Sequence, residues 1–315
     1  MEPIWNGNEQ REEKKTHLKP VHGIALFLVV MLCFYTIIAW AQWTFGMYGL
    51  ALTEIFLLVL SVGSAKLLKA PLREIFPVRK PEWKKLLAVL AGWVSAYAAV
   101  IPLTMTAAYF FPSQIFGVSD SLSSFMGSVP LLVSVLISSV MPGICEEALH
   151  RGFLLKCFQS RIHSTAGLVL LMGFLFGAFH GSVWRFLPTA FLGGVLTWLM
   201  VRTENLVYPA LFHFINNFLP SVFAGFSSGQ ETEAASQMLM QQGLPLSFLG
   251  IYFAMACIAP FGFYTASYLL RKGEPGQEQR YLKSNKVLAV LVVLTVLPVI
   301  LGMLLFVLGI VKDFL

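Results

Sequence analysis

Six side chains suited to acid–base chemistry, or to holding a developing charge, lie in stretches that are otherwise apolar. They are Glu146, Glu147 and Arg151 in PGICEEALHRGF (142–153), His180 in LLMGFLFGAFHGS (170–182), and His213 and Asn217 in YPALFHFINNFLP (208–220). An ionised group near a bilayer centre costs at least a few kcal/mol, so it tends to be paired, wetted or functional. Glu147 and Arg151 are four residues apart, share a helix face and can pair. Glu146 projects about 100° away, with His150 four residues on as a possible local partner. A carboxylate in an apolar pocket can act as general base toward water. One histidine can help hold that water, while a second histidine and an asparagine amide can donate to the oxyanion formed when water attacks a carbonyl. Alternatively, Glu146, His180 and His213 offer two nitrogens and a carboxylate, a zinc-binding set with an open position for water. Both readings are hydrolytic. The plainer alternative is that His180, His213 and Asn217 only hydrogen-bond between helices. Asn216 lies beside Asn217, and Glu54, in another apolar segment, faces a cavity or an interface.

The composition shows what must position these groups. The chain of 315 residues is 57% hydrophobic and 12% charged, against about 25% charged in soluble domains. The fold class expected is all-α, a polytopic transmembrane helical bundle of about eight to nine spans. Nine segments are apolar enough and near the roughly 20 residues a crossing needs: 21–45, 47–68, 86–111, 129–157, 164–183, 186–201, 205–225, 245–270 and 287–311. The sixth is short, and Pro142-Gly143 is expected to break the fourth. Residues 1–20 read as a polar, disordered cytoplasmic tail and 21–315 as one membrane domain. No cleavable signal is evident, so the first span would stay as an anchor. Cys33, Cys145, Cys157 and Cys257 have neither disulfide-framework nor zinc-finger spacing.

The net charge of +6 raises the question of nucleic acid, but 20 of the 22 Lys and Arg fall in the tail and in alternate connections. The positive-inside rule then puts the N-terminus in the cytoplasm and the C-terminus outside. Arg185 and Lys312 fall on the opposite side. The stretches 112–128 and 226–244 read as external loops. Gly173, Gly177 and Gly181 recur every four residues, a small-residue stripe for close helix approach. Simple counting leaves one conflict: Glu146, His180 and His213 come out at three different depths.

At these residues the sequence resembles the CPBP family, which includes the type II CAAX prenyl endopeptidases and the bacterial Abi proteins. EEALHR (146–151), FGAFH (176–180) and HFINN (213–217) look like its three motifs, in order and on separate spans. RGFLL and FLGGVLTWLM fit as well, and the resemblance covers about 129–225. It implies an intramembrane endopeptidase with Glu146 activating water, His180 assisting, His213 and Asn217 stabilising the oxyanion, and Glu147, Arg151 and Phe176 shaping the site. Family members are often labelled metalloproteases, so zinc is possible. The implied substrate is a membrane-associated peptide or protein, lipid-anchored or embedded, with the bilayer as partner and no nucleic acid. A non-catalytic immunity or scaffold protein, or a proton-coupled transporter, are the competing readings.

Overall fold

The computed structural model describes residues 18–226, 230–277 and 279–314. The tail expected over 1–20 therefore lies almost wholly outside the described residues.

Apolar sequence in a bilayer must satisfy its backbone internally, which favours helices, and helices account for nearly all of the fold. In chain order they are α1 (Pro20–Phe45), α2 (Met47–Leu67), the short α3 (Leu72–Ile75), α4 (Trp83–Phe110), α5 (Pro112–Gly127), α6 (Leu131–Gln159), α7 (Thr165–Phe179), α8 (Val183–Thr203), α9 (Val207–Phe226), α10 (Gln230–Gln242), α11 (Leu246–Arg271) and α12 (Asn285–Phe314). Among the described residues seven are long and apolar enough to cross a membrane: α1, α2, α4, α6, α8, α11 and α12. The protein is an integral membrane protein. α7 is apolar but has only 15 residues, and α9 is 20 residues long and carries His213, Asn216 and Asn217.

Several expectations from the sequence change. The fifth segment ends at Phe179, because Gly181 turns the chain at φ +62°, and α8 starts at Val183, three residues earlier than expected. Gly181 therefore belongs to a turn and not to the glycine stripe. The stretches read as loops contain α5 and α10, which pack on each other. Pro142-Gly143 does not break α6, which runs unbroken through 29 residues.

α6 is the central helix. Half of its most apolar window (50%) is buried within the protein, against 11% for α12, which lies at the periphery. α6 packs on α1, α2 and α9, while α8 packs on α4, α7 and α9. Beside the starts of α4 and α9, the Asn205 side chain accepts from Arg79 N (3.2 Å) and donates to Arg79 O (3.0 Å). The Tyr208 hydroxyl accepts from Glu82 N (2.8 Å). These bonds tie the connection after α3 to the α8–α9 turn and fix where α9 begins, and with it the height of His213.

The α7–α8 pair brings the second motif against the first. A Cβ on Gly173 would sit 2.6 Å from the Ala190 carbonyl oxygen, and one on Gly177 would sit 2.9 Å from that of Phe186. Only glycine permits this approach. Gly173→Ala is accordingly expected to cost about 1–3 kcal/mol through overpacking, read as a lower melting temperature in detergent. Gly63→Ala, whose methyl would meet nothing within 4 Å, should leave melting unchanged or slightly raised.

Candidate active site

Two π-helical turns, Leu136–Val140 and Ala148–Leu154, flank the short α-helical stretch Met141–Glu147. Single π turns inside α-helices recur at functional sites because they re-aim side chains and free backbone groups. Both effects are visible here. Pro142 has no N–H for the Ser138 carbonyl four residues earlier, and Asn217 Nδ2 donates to that carbonyl across the α6–α9 contact (3.1 Å). In the second π turn, His150 Nδ1 donates to the Glu146 carbonyl (2.9 Å). His150 thus meets the backbone of Glu146 and not its carboxylate, unlike the local side-chain pair the spacing allows.

Glu147 and Arg151 pair as their spacing predicts. Arg151 Nη1 donates to Glu147 Oε1 (2.8 Å), and Nη2 donates to the Gly193 carbonyl on α8 (2.9 Å). The same Glu147 oxygen accepts from His213 Nδ1 (2.8 Å). All three side chains are buried, Arg151 completely. Arg151 Cζ lies 4.4 Å from the centre of the Phe176 ring, within cation–π range. The rings of His180, His150 and His213 stand edge-on to Phe176 at 4.8, 5.0 and 5.6 Å. Phe176 is therefore the hub that spaces three histidines and one arginine. Gly193 makes this possible, since a Cβ there would lie 2.6 Å from Phe176 Cβ.

His180 caps the end of α7 and donates through Nδ1 to the Phe176 carbonyl (2.8 Å). In the neutral ring this leaves Nε2 as an acceptor. Glu146 is 8% exposed, and its Oε2 is buried without a hydrogen-bond partner.

Two cavities meet at these residues. The larger, about 960 Å³, is lined by Glu146, His180, Asn216, Asn217, Glu54, Arg185 and residues of α5, among others. The smaller, about 50 Å³, is lined by His213, His180, Asn216, Asn217, Arg185 and Phe176, among others. A water occupies about 30 Å³ of liquid, so the smaller cavity has room for one water or one carbonyl oxygen. His180, Arg185, Asn216 and Asn217 line both cavities. Glu146 lines only the larger and His213 only the smaller.

The conflict of depths therefore disappears. Glu146 lies near the middle of α6, the short α7 ends early so that His180 lines the same cavity as Glu146, and His213 on α9 lines the second cavity together with His180. The metal-binding alternative fares less well. Among the described residues no three His, Cys, Asp or Glu side chains are grouped to hold an ion, and Glu146 and His213 line different cavities. The residues do not fit a three-ligand zinc site.

Three cavity residues stand outside the set singled out from the motifs. Glu54, 1% exposed on α2 and with a buried, unpartnered Oε2, lines the same cavity as Glu146. Its apolar surroundings were the only signal in the sequence. Asn216, adjacent to the third motif, donates to Asn217 Oδ1 (3.2 Å). Arg185, placed by its sequence position beyond a membrane boundary, lines both cavities.

Fold and site together define a polytopic helical membrane protein built around a buried cluster of Glu, Arg, His and Asn at a large cavity. Residues 128–219, which hold every member of that cluster except Glu54, match the family model described as Type II CAAX prenyl endopeptidase Rce1-like. That segment carries a domain of the CAAX protease family. It spans α6 to most of α9 and less than half of the chain. No curated protein and no solved structure matches.

Proposed function

We propose that this protein is an intramembrane endopeptidase that hydrolyses a peptide bond in a lipid-anchored or membrane-embedded substrate by glutamate-activated water. The observation that carries the reading is the pair of cavities that share His180, Arg185, Asn216 and Asn217 in their walls. One is lined by a carboxylate with an unpartnered oxygen, and the other has the size of a single oxygen and is rimmed by the amides of Asn216 and Asn217.

The scissile carbonyl points into the smaller cavity and the water lies in the larger one, between Glu146 and His180 Nε2. Glu146 takes a proton from water as the oxygen attacks the carbonyl carbon. The C=O electrons move onto oxygen, and the oxyanion is held by the free amide hydrogen of Asn217, with the Asn216 amide beside it. Collapse of the tetrahedral intermediate breaks the C–N bond, and the proton on Glu146 passes to the departing amine. Glu147, Arg151 and Phe176 do not touch substrate in this scheme; they hold His213 and His180 at their stations. Residues 129–225 form the catalytic core of the single membrane domain. The Lys and Arg distribution gives a cytoplasmic N-terminus and sets α5 and Arg185 toward the external end.

The test is cleavage by protein reconstituted in liposomes. The substrate is a peptide ending in the four-residue CAAX pattern, with and without a prenyl group on its cysteine, and products are read by mass. A single internal cleavage after the cysteine, undiminished by 1,10-phenanthroline, is the expected result. Inhibition by chelator that added zinc reverses would overturn the metal-free mechanism. Intact peptides after incubation with correctly folded protein would count against CAAX-type processing, and proton-driven flux in the same liposomes would favour a transporter instead.

A further inference from the structure

Among the described residues, Arg185 is the one Lys or Arg in the lining of either cavity. It stands in the first turn of α8, half-buried, and among the described residues no hydrogen bond or ion pair engages its guanidinium. The carboxylate that feels its charge is Glu146, yet the two form no ion pair within 4 Å. A guanidinium lining a cavity inside a membrane protein normally has an anion or carbonyl to neutralise it. Arg151 shows the rule in this chain, with a carboxylate, a carbonyl and an aromatic face. Arg185 breaks it while facing a cavity of about 960 Å³, at the top of the roughly 300–1,000 Å³ range of ligand sites.

The missing counter-charge has to come from what enters that cavity. We infer that Arg185 binds the free C-terminal carboxylate of the peptide substrate, through the two-pronged contact that a planar guanidinium makes with a carboxylate. This rests on the proposed proteolysis and adds how the scissile bond is chosen. With the chain end fixed at Arg185 and the water at Glu146 across the same cavity, the bond cut lies a few residues from the C-terminus. Chains that pass through without an end are poor substrates.

The experiment compares one farnesylated peptide as the free acid and as the C-terminal amide, using wild type, Arg185→Gln and Arg185→Lys in phosphatidylcholine liposomes and in liposomes with added phosphatidylglycerol. Wild type should cleave the acid with a kcat/KM about 10- to 100-fold above the amide, the range of a charge-assisted contact. Arg185→Gln should lose that preference by slowing the acid alone, Arg185→Lys should keep part of it, and the lipid should not matter. Equal cleavage of acid and amide by wild type overturns the inference. So does equal slowing of both by Arg185→Gln, which would make Arg185 an oxyanion donor, and so does an effect seen only with phosphatidylglycerol, which would make it a lipid-phosphate site. Thermal protection by the two peptides is measured in parallel and needs no turnover. Protection by the acid and not the amide, lost in Arg185→Gln, supports the carboxylate site even if proteolysis fails, and equal protection overturns it.

Discussion

Glu146→Gln is expected to abolish peptide cleavage while the protein melts at the wild-type temperature. The amide keeps the shape of the carboxyl but cannot take a proton from water. General-base catalysis is worth about 10²- to 10⁴-fold, and here the same group also holds the nucleophile, so a loss of about 10³-fold or more is the expected reading. Folding should be spared because the buried Oε2 of Glu146 has no hydrogen-bond partner to lose, and the residue's backbone contact with His150 does not involve the side chain. Kinetics and thermal melts on the same preparation check both halves. Activity within tenfold of wild type would remove Glu146 from the role of base.

Arg151→Met should have the opposite profile, with loss of folded protein before activity can be asked about. Glu147 is 1% exposed and, among the described residues, has Arg151 and His213 as its partners. Removing one member of a buried ion pair costs about 3–5 kcal/mol, a large share of the roughly 5–15 kcal/mol that separates folded from unfolded domains. The Gly193 carbonyl and the Phe176 ring lose their partner at the same time. Arg151→Lys is expected to do little better, since a single ammonium lacks the fork that reaches Glu147 on α6 and Gly193 on α8 together. The double change Glu147→Leu with Arg151→Met removes both charges and should recover much of the stability. It would also free His213 Nδ1 and lower turnover. Size-exclusion profiles and melting temperatures decide; an Arg151→Met protein that melts like wild type would contradict the account of this cluster.

The contrast between these two neighbours shows what the sequence can and cannot carry. A four-residue spacing on one helix is local geometry, so the Glu147–Arg151 pair was legible, as was Phe176 under His180 one turn along α7. The bond from His213 to Glu147 joins residues 66 apart, and no spacing encodes it. Helix positions followed from apolar length where apolar length was the cause. α5 and α10 were missed because their polar residues hide them from hydropathy, although Pro112 at the first position of α5 is a helix-start signal. The early end of α7 had a signal too, in the glycine directly after His180. The π turns of α6 had none beyond Pro142: beside the first, a missing N–H is answered from another helix by Asn217, and no residue type in the sequence marks the second. Glu54 and Arg185 belong to the cavity only because α2 and the start of α8 pack around α6, a relation of tertiary structure.

The most direct test of the central claim is a single-turnover cleavage in ¹⁸O-water, with the mass of the new product carboxylate and of the intact protein followed together. Attack by water activated at Glu146 predicts one ¹⁸O in each product carboxylate from wild type, no peptide adduct on the protein at any time, and no product from Glu146→Gln. A transient adduct mass on the protein, or labelled product from Glu146→Gln at the wild-type rate, would contradict it.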